Sequence, residues 1–238
     1  MILRIVGSNS SGNGYLLEAT DGSQLIIEAG CSSRAFRRTG KMRTADVKAV
    51  VISHSHGDHA KYAKDFIKAG IGVHSTGDLR DKCTGVEAMT AGETYGFGDF
   101  RVTPFVVEHD VPCFGYLIFH TECGPILFAT DCYNQHQVFK GIRHFLIEAN
   151  YSDDLLLKAI AGGTTPRSAA DRIRLSHLSY KNCTDYLQMC NAAASAHTIT
   201  LIHLSSRHSD RVAFAKGIQE QTGVPTMAAE SGMTITLI

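Results

Sequence analysis

The first half of the chain alternates short apolar runs with polar breaks. The runs are rich in Val, Ile, Leu and aromatic residues, and Gly, Ser, Asn and Asp bound them, as is typical of strands that end in turns. This pattern predicts β-strands at 2–6, 15–19, 24–29, 47–53, 100–108, 114–120 and 125–130.

The rest of the sequence adds helical periodicity. Apolar positions recur every three or four residues in several segments, which predicts amphipathic helices. We expect helices at 59–69, 76–83, 152–160, 168–174, 179–195 and 209–221, and further strands near 144–148, 198–203 and 233–238. Because mixed sheets need cover on their outer faces, this order predicts an α/β fold, an αββα sandwich of two mixed sheets between helices. One domain is expected over residues 1–238.

Composition narrows the setting of this fold. Lys plus Arg and Asp plus Glu number 23 each, so a polyanion would need a local basic patch rather than a global field. Seven cysteines without any CxxC spacing indicate reduced thiols, and no apolar run approaches the length of a membrane span. We therefore expect a cytoplasmic protein without membrane contact. The balanced charge permits a homodimer without predicting one.

The strongest chemical signal is the run Ser53-His54-Ser55-His56-Gly57-Asp58-His59, which directly follows an apolar strand. Side chains at i and i+2 leave a strand end on the same side, so His54 and His56 are expected to bind one ion. Gly57 permits a sharp turn that brings Asp58 and His59 towards a second ion. Imidazole and carboxylate are ligands that suit Zn²⁺ and its neighbours. A surface His-rich loop is the alternative interpretation.

Three more candidate ligands follow predicted strands further along the chain. We assign His109 to the ion of His54 and His56, and His203 to the ion of Asp58 and His59, with Asp131 as the bridging carboxylate. Two divalent ions carry four positive charges, whereas two carboxylates and a hydroxide carry three negative charges. The site is therefore predicted to favour an anionic substrate such as a phosphate.

The HxHxDH run with isolated His, Asp and His at later strand ends resembles the metallo-β-lactamase superfamily. More narrowly, the sequence is similar to the small WalJ/YycJ-type (VicX-type) phosphodiesterases, relatives of RNase Z. The segments that carry this resemblance are GSNSSGNGYLLE, IIEAG, HDVPCFGYLI, ATDC, IEANYSDDLL, LSHLSYKNC and LIHLSSRH.

The resemblance implies an αββα fold with two divalent metal ions at those seven residues. Zinc is expected first, with Mn, Fe or Ni as alternatives, and 5′-to-3′ exonuclease activity on DNA is attributed to WalJ-type members. Two departures stand out. Glu28 occupies a position where the family usually has Asp, and Ser205 to Ser209 replace Asn-rich sequence. The interval from His109 to Asp131 is too short for the tRNA-gripping arm of bacterial RNase Z, which disfavours processing of pre-tRNA.

Several further residues are candidates for catalysis. A metal-bridging hydroxide would attack phosphorus, and Asp58 is placed to hold a metal and orient that hydroxide. The leaving oxygen needs a proton donor, and His177 is the candidate. The resemblance to RNase Z-like enzymes implies that it pairs with Glu148. A turn histidine satisfied by the backbone is the alternative.

Substrate contacts are less well marked. A basic cluster, which includes Arg34, Arg37 and Arg38 with Lys41 and Arg43, is a candidate phosphate track, and a solvated helical face is the alternative. Ser8, Asn9 and Ser10 are candidates for lining the site mouth, although a turn explains them equally well. The other six histidines match no ligand position.

These observations leave three classes of function. The first is a nuclease or other phosphodiesterase, exonuclease-like, that acts on a DNA or RNA end by the metal-bridging hydroxide. The second is a small-molecule hydrolase that takes a cyclic nucleotide, a lactone or a thioester. The third is a metal-binding regulator without catalysis, which the complete ligand set disfavours. The candidate pair of His177 and Glu148 favours phosphoester over acyl chemistry.

Overall fold

Two seven-stranded mixed sheets form the centre of the molecule in a computed structural model that describes residues 1–238. The first sheet has the strand order β14-β1-β2-β3-β4-β5-β6, and the second has the order β13-β12-β11-β10-β9-β8-β7. In the first sheet β3, β4 and β5 run parallel, and in the second β10, β11 and β12 run parallel. The strands are β1 Ile2–Gly7, β2 Gly14–Glu18, β3 Gln24–Ile27, β4 Val47–Val51, β5 Val73–Ser75, β6 Val86–Ala88, β7 Tyr95–Phe97, β8 Phe100–Val107, β9 Cys113–His120, β10 Gly124–Ala129, β11 His144–Glu148, β12 Thr198–Ile202, β13 Thr226–Ala228 and β14 Thr234–Thr236.

Nine helices accompany these sheets. Most begin at Ser, Thr or Asp caps, as Ser32, Thr76, Ser152, Ser179 and Asp210 each accept a hydrogen bond from the backbone of the first turn. The helices are α1 Ser33–Arg38, α2 Gly57–Ala60, α3 Ala63–Lys68, α4 Gly77–Lys82, α5 Asp153–Ala161, α6 Arg167–Ser176, α7 Tyr180–Met189, α8 Ala192–Ser195 and α9 Arg211–Thr222. None of them is both long and apolar enough to span a bilayer.

The alternation of side chains along the strands produces three apolar layers. Leu3, Leu17 and Phe128 belong to a central cluster of 24 buried residues between the two sheets. Residues on the opposite faces of the same strands, such as Leu16 and Leu127, belong to clusters between each sheet and its helices. Since successive strand residues point to opposite faces, both faces of both sheets are buried. The predicted αββα sandwich is confirmed.

Two predicted helices are broken in the structure. The segment 59–69 forms α2 and α3, and α2 begins at Gly57 rather than at His59. The segment 179–195 forms α7 and α8, because Asn191 takes a left-handed conformation with φ of 58° between them. The predicted strand at 24–29 ends at Ile27 for a similar reason, since Glu28 has φ of 69°.

The sequence pattern also missed short elements. Strands β5, β6, β7 and β13 have three residues each, too few to show an alternation, and α1 has six. The longer predicted strands are confirmed in place. Consequently His109, Asp131 and His203 follow the ends of β8, β10 and β12, as the sequence indicated.

Candidate metal centre

Three imidazoles converge at the end of β4. His54 and His56 leave the chain just beyond the strand, and His109 approaches from the second sheet after β8. The ring centroid of His54 lies 4.7 Å from that of His56 and 4.8 Å from that of His109. Together with Asp131, these side chains offer four ligand atoms within 4.8 Å of one another. We call this group the imidazole side of the centre.

A second group forms where α2 begins at Gly57. Gly57 has neither a left-handed φ nor a neighbour within 4 Å of a Cβ, so the special glycine turn expected there is absent. Asp58, His59, His203 and Asp131 also offer ligand atoms within 4.8 Å of one another. The Asp58 carboxylate lies 3.3 Å from Nε2 of both His59 and His203. We call this group the carboxylate side. Asp131 is common to both groups, as the sequence predicted for a bridging ligand, although the ligand roles themselves remain predictions.

The turn at Asp58 depends on close approach of the backbone at Gly30. A Cβ at Gly30 would lie 1.7 Å from the backbone oxygen of Asp58, so only glycine fits. The loop after β1 fixes the same turn, because the backbone N–H of Asn13 donates to the Asp58 carbonyl at 2.8 Å. The Asn13 amide nitrogen also lies 3.0 Å from Nε2 of His59. The Gly/Ser-rich loop therefore forms part of the site's framework.

Three residues of the centre have left-handed backbone conformations. The φ values of Glu28, Asp131 and His203 are 69°, 49° and 53°. Each follows a buried strand, namely β3, β10 or β12. A non-glycine residue in this region costs on the order of 1–3 kcal/mol and persists only where its surroundings fix it. These strained conformations lower the stability of the fold, but they direct the three side chains towards one point.

The donor atoms present fit a bound cation. Nδ1 of His54 lies 2.8 Å from the Ser53 hydroxyl, while its Nε2 is buried without any hydrogen-bond partner. This Nε2 of His54 lies 3.5 Å from a carboxylate oxygen of Asp131 and therefore faces the other ligand atoms. Burial, helped by the nearby His59, holds the pKa of His54 well below its ordinary value, which keeps the imidazole neutral. A neutral imidazole with an unused nitrogen is the form that binds metals.

Buried glutamates support the carboxylate side from behind. An oxygen of Glu28 lies 3.4 Å from Nδ1 of His59, and Oε1 of Glu148 lies 2.8 Å from Nδ1 of His203. Burial alone would lower the pKa of both imidazoles, but the surrounding carboxylates, Asp131 first, outweigh it and raise both pKa values well above the ordinary value. Carboxylate partners of this kind orient a ligating histidine and increase its basicity.

His177 lies at the rim, in contact with the same glutamate. Its Nδ1 is 2.8 Å from Oε1 of Glu148, which also accepts the backbone N–H of Leu178 through Oε2 at 2.9 Å. Burial opposes protonation of His177, but the charge and hydrogen bond of Glu148 raise its pKa. Glu148 therefore connects His177 with His203, and the structure brings the predicted pair into contact.

The metal centre opens into a cleft of about 220 Å³. Its lining includes Ser10, His177 and two residues that no sequence motif indicated, Asp110 and Arg172. Oδ1 of Asp110 lies 3.0 Å from Nε2 of His109 and 3.5 Å from Nε2 of His56. Its position directly after His109 was the available signal, since a second ligand-type residue adjoins a proposed ligand.

The residues predicted to contact substrate lie in different environments in the structure. The exposed Arg34, Arg37 and Arg38 lie on α1 and line neither the metal cleft nor the larger cavity beside it. Ser8 is buried, because its hydroxyl accepts the backbone N–H of His203 at 2.9 Å, so it positions that residue instead of lining the mouth. Asn9 lines the larger cavity.

Sequence reasoning also missed Asn13 and Asn150, which hold the centre through hydrogen bonds. The Asn150 amide donates to the backbone oxygen of His203 at 2.7 Å. Both contacts join residues distant in sequence, so no local pattern could reveal them. Among these supporting residues, a local sequence signal exists only for Ser53, because it directly precedes the ligand that it contacts, His54.

Sequence comparison places this centre among known proteins. The model of the metallo-beta-lactamase superfamily matches residues 8–80, which include the HxHxDH run. Exodeoxyribonuclease YycJ of Bacillus anthracis is 25% identical over 169 residues, 64% of this chain and 64% of the relative. Exodeoxyribonuclease WalJ of Streptococcus pneumoniae is 26% identical over 171 residues, 64% of this chain and 63% of the relative. The matches thus span less than two thirds of the length of these relatives.

Solved structures match the whole chain at lower identity. The metallo-beta-lactamase fold protein YhfI of Bacillus subtilis gives a TM-score of 0.75 at 16% identity and covers 99% of both chains. Zn²⁺-bound PqqB of Methylobacterium extorquens gives 0.73 at 13% identity, and the short form of human tRNase Z gives 0.68 at 15%, each over 100% of both chains. Residues 8–80 thus match a metallo-beta-lactamase superfamily domain that contains the ligand run, and the whole chain has the metallo-beta-lactamase fold.

Proposed function

We propose that this protein is a metal-dependent phosphodiesterase that cleaves nucleic-acid strands, in the manner of an exonuclease. The observation that carries the proposal is the meeting of two ligand groups at Asp131, with His177 at their rim in contact with the buried Glu148. The relatives named exodeoxyribonucleases support it, as does the fold shared with tRNase Z. Two divalent cations, zinc first, are proposed as cofactors.

The ligand groups would hold these cations through His54, His56 and His109 on one side and Asp58, His59 and His203 on the other, with Asp131 between them. When bound, such cations polarise a phosphoryl oxygen and lower the pKa of water towards neutrality. The donor set fits this role because the imidazole nitrogen of His54 is buried without a hydrogen-bond partner.

Asp58 is proposed to orient the attacking water. Its carboxylate is half-buried, and burial alone would raise its pKa. The hydrogen bonds and charges of His203 and His59 outweigh burial and hold the pKa well below the usual range, so the group is an anion. An ionised carboxylate accepts hydrogen bonds only, and so fixes the direction in which a water donates.

His177 is proposed to protonate the leaving oxygen. Its Nδ1 faces Glu148 at 2.8 Å, which leaves Nε2 as the nitrogen available to a substrate in the cleft. The raised pKa favours the protonated form that a general acid requires. Glu148 acts here as a positioning residue, because it holds the ring through Nδ1.

The seven free thiols, six of them buried, suit a reducing compartment and support a cytoplasmic location. The arginines of the cleft and the adjoining cavity favour an anionic polymer. These features agree with a nucleic-acid substrate more closely than with a lactone or thioester.

The test is turnover by metal-reconstituted protein on four substrates: 5′-phosphorylated double-stranded DNA, single-stranded RNA, a 3′,5′-cyclic nucleotide and a lactone. We expect degradation of a polymer, and the variant Asp58→Ala should lose at least about 10³-fold in rate because it removes a metal contact and the water-orienting carboxylate. Turnover of the cyclic nucleotide or the lactone alone would contradict the nuclease assignment while leaving the metal centre in place.

A further inference from the structure

A second cavity of about 740 Å³ adjoins the metal cleft. Ser10, His177 and His203 line both cavities, so they are continuous at the rim of the metal centre. A substrate strand whose scissile phosphate lay at the metal centre would therefore reach this second space without leaving the protein surface. Its volume is in the range of ligand pockets, roughly 300–1,000 Å³.

The charge of this cavity differs from that of the metal cleft. Three aspartates line the cleft, namely Asp58, Asp110 and Asp131, whereas no Asp or Glu lines the second cavity. Two arginines line it. The guanidinium of Arg211 contacts Glu230 and the carbonyl of Ala229, so its charge is partly compensated.

Arg207 forms no ion pair, and its side chain is exposed at the cavity. An unpaired guanidinium in a cavity without carboxylates attracts an anion. Arg172, which is also exposed and free of ion pairs, extends the positive charge to the border of the metal cleft.

The segment that presents Arg207 is held firmly. His208 is buried, and its two ring nitrogens lie 2.8 Å from the Thr165 hydroxyl and 3.2 Å from the Ser205 hydroxyl. The backbone N–H of Ser205 donates to the carbonyl of Asn150 at 3.0 Å, and Asn150 in turn holds His203. The backbone at Arg207 is therefore fixed in relation to the metal centre. The exposed side chain extends from it into the cavity.

The cavity lacks the large aromatic side chains on which bases stack most strongly. Its only apolar lining residues are Ile173 and Leu204, and it contains no Phe, Tyr or Trp. Proteins that bind single strands by their bases use aromatic side chains for that purpose. The polar, positively charged lining suits phosphate and sugar instead.

We propose that this cavity is a second phosphate subsite, in which Arg207 binds the phosphate next to the scissile one on the same strand, whatever the bases. The proposal rests on the proposed function and defines its substrate class as polymers with at least two phosphodiesters. Substrates with a single phosphodiester, such as cyclic nucleotides, fill the metal cleft alone and gain nothing from the subsite.

The kinetic test compares wild-type protein with Arg207→Ala after metal reconstitution. For oligothymidylate we expect KM to rise about tenfold, with kcat nearly unchanged, because one charged phosphate contact is lost. For bis(p-nitrophenyl) phosphate, which has one phosphodiester, KM and kcat should not change. The control Lys216→Ala removes an exposed cation of α9 that lines neither cavity, and it should alter neither substrate.

An unchanged KM for oligothymidylate would overturn the subsite. An equal loss on both substrates would also overturn it, because Arg207 would then support the metal centre rather than bind a second phosphate. Failure of the wild type to cleave any oligonucleotide would instead contradict the proposed function, and a binding measurement separates the two.

Fluorescence anisotropy with labelled oligothymidylate supplies that measurement on proteins that share the Asp58→Ala change. Adding Arg207→Ala should weaken binding about tenfold. Oligoadenylate should bind like oligothymidylate, because no base is read. Equal affinities with and without Arg207, or no measurable binding by either protein, would overturn the subsite whether or not the strand is cleaved.

Discussion

The two sides of the metal centre differ in what supports their imidazoles. On the carboxylate side, Glu28 lies behind His59 and Glu148 behind His203. On the imidazole side, His54 is backed by the neutral hydroxyl of Ser53.

The remaining ligands of the imidazole side have weaker support still. Nδ1 of His109 and Nδ1 of His59 are both buried without a hydrogen-bond partner, but only that of His59 faces a carboxylate, Glu28 at 3.4 Å. The His56 side chain is 36% exposed. Since buried anions increase the basicity of a ligand and attract a cation, we expect the carboxylate side to bind its ion more tightly. Similar ligand sets therefore need not form sites of equal affinity.

The largest effect should come from the residue that both sides share. Asp131→Asn keeps the shape of the side chain but removes the charge that faces His54, His59 and His203. We expect phosphodiester turnover to fall by at least about 10³-fold, because several kcal/mol of cation binding and charge stabilisation depend on this carboxylate. Metal content by mass spectrometry should fall on both sides together. Full retention of both ions would show that Asp131 is no bridge.

The second prediction compares the supports directly. Glu28→Gln removes the anion behind His59 and should weaken binding of the tighter ion about 10- to 100-fold. Ser53→Ala removes only a neutral hydrogen bond to His54 and should weaken the other ion about fivefold. Competition with a chromophoric chelator measures both constants. A larger loss in Ser53→Ala than in Glu28→Gln would reverse the proposed order of affinities.

Asp110 offers a smaller test on the imidazole side. Its carboxylate lies beside His56 and His109 but is 50% exposed, so solvent screens its charge. Asp110→Asn should weaken the looser ion by no more than about fivefold, as for other exposed charges. Calorimetric titration at low and high salt should show a loss that shrinks with salt. A loss that ignores salt would indicate direct coordination instead.

Three charged residues remote from the centre give the smallest effect and serve as a control. Glu18 contacts Arg4 at 2.6 Å and Arg43 at 2.8 Å, and these cations lower its pKa below the ordinary 4.5 although burial acts in the opposite direction. A lowered folded-state pKa means that the stabilisation is present above 4.5 and is lost as pH falls through the folded-state value.

Glu18→Gln should therefore lower the free energy of unfolding by about 1 kcal/mol at neutral pH. The difference from wild type should disappear in acid and should leave metal affinity unchanged. Urea unfolding of the metal-free protein at a series of pH values measures it. A difference that grows towards low pH would contradict the assigned sign.

The sequence predicted the parts of the site that follow a local rule. His54, His56, Asp58 and His59 could be found because a strand, a glycine and four ligand-type residues stand next to each other. The strand ends before Asp131 and His203 were visible in the apolar runs. The long strands succeed for the same reason, since their alternation extends over five or more residues.

What the sequence missed depends on contacts between distant segments. Nothing near Asn13 in the sequence indicates that its amide reaches His59, and Arg207 resembled an ordinary loop residue. The dense charge run at Arg34, Arg37 and Arg38 predicts a phosphate track, but these side chains are exposed on α1 and line neither cavity. Density of charge is local, whereas its position relative to a cleft is not.

The division of the ligands between the sheets has a consequence for folding. The loop after β4 belongs to the first sheet, whereas His109, Asp131 and His203 belong to the second, so the binding pocket exists only after the two have docked. An ion that binds the docked form alone stabilises it by mass action. The cations would then hold the two sheets together, and their removal should weaken the packing between the sheets before either sheet unfolds.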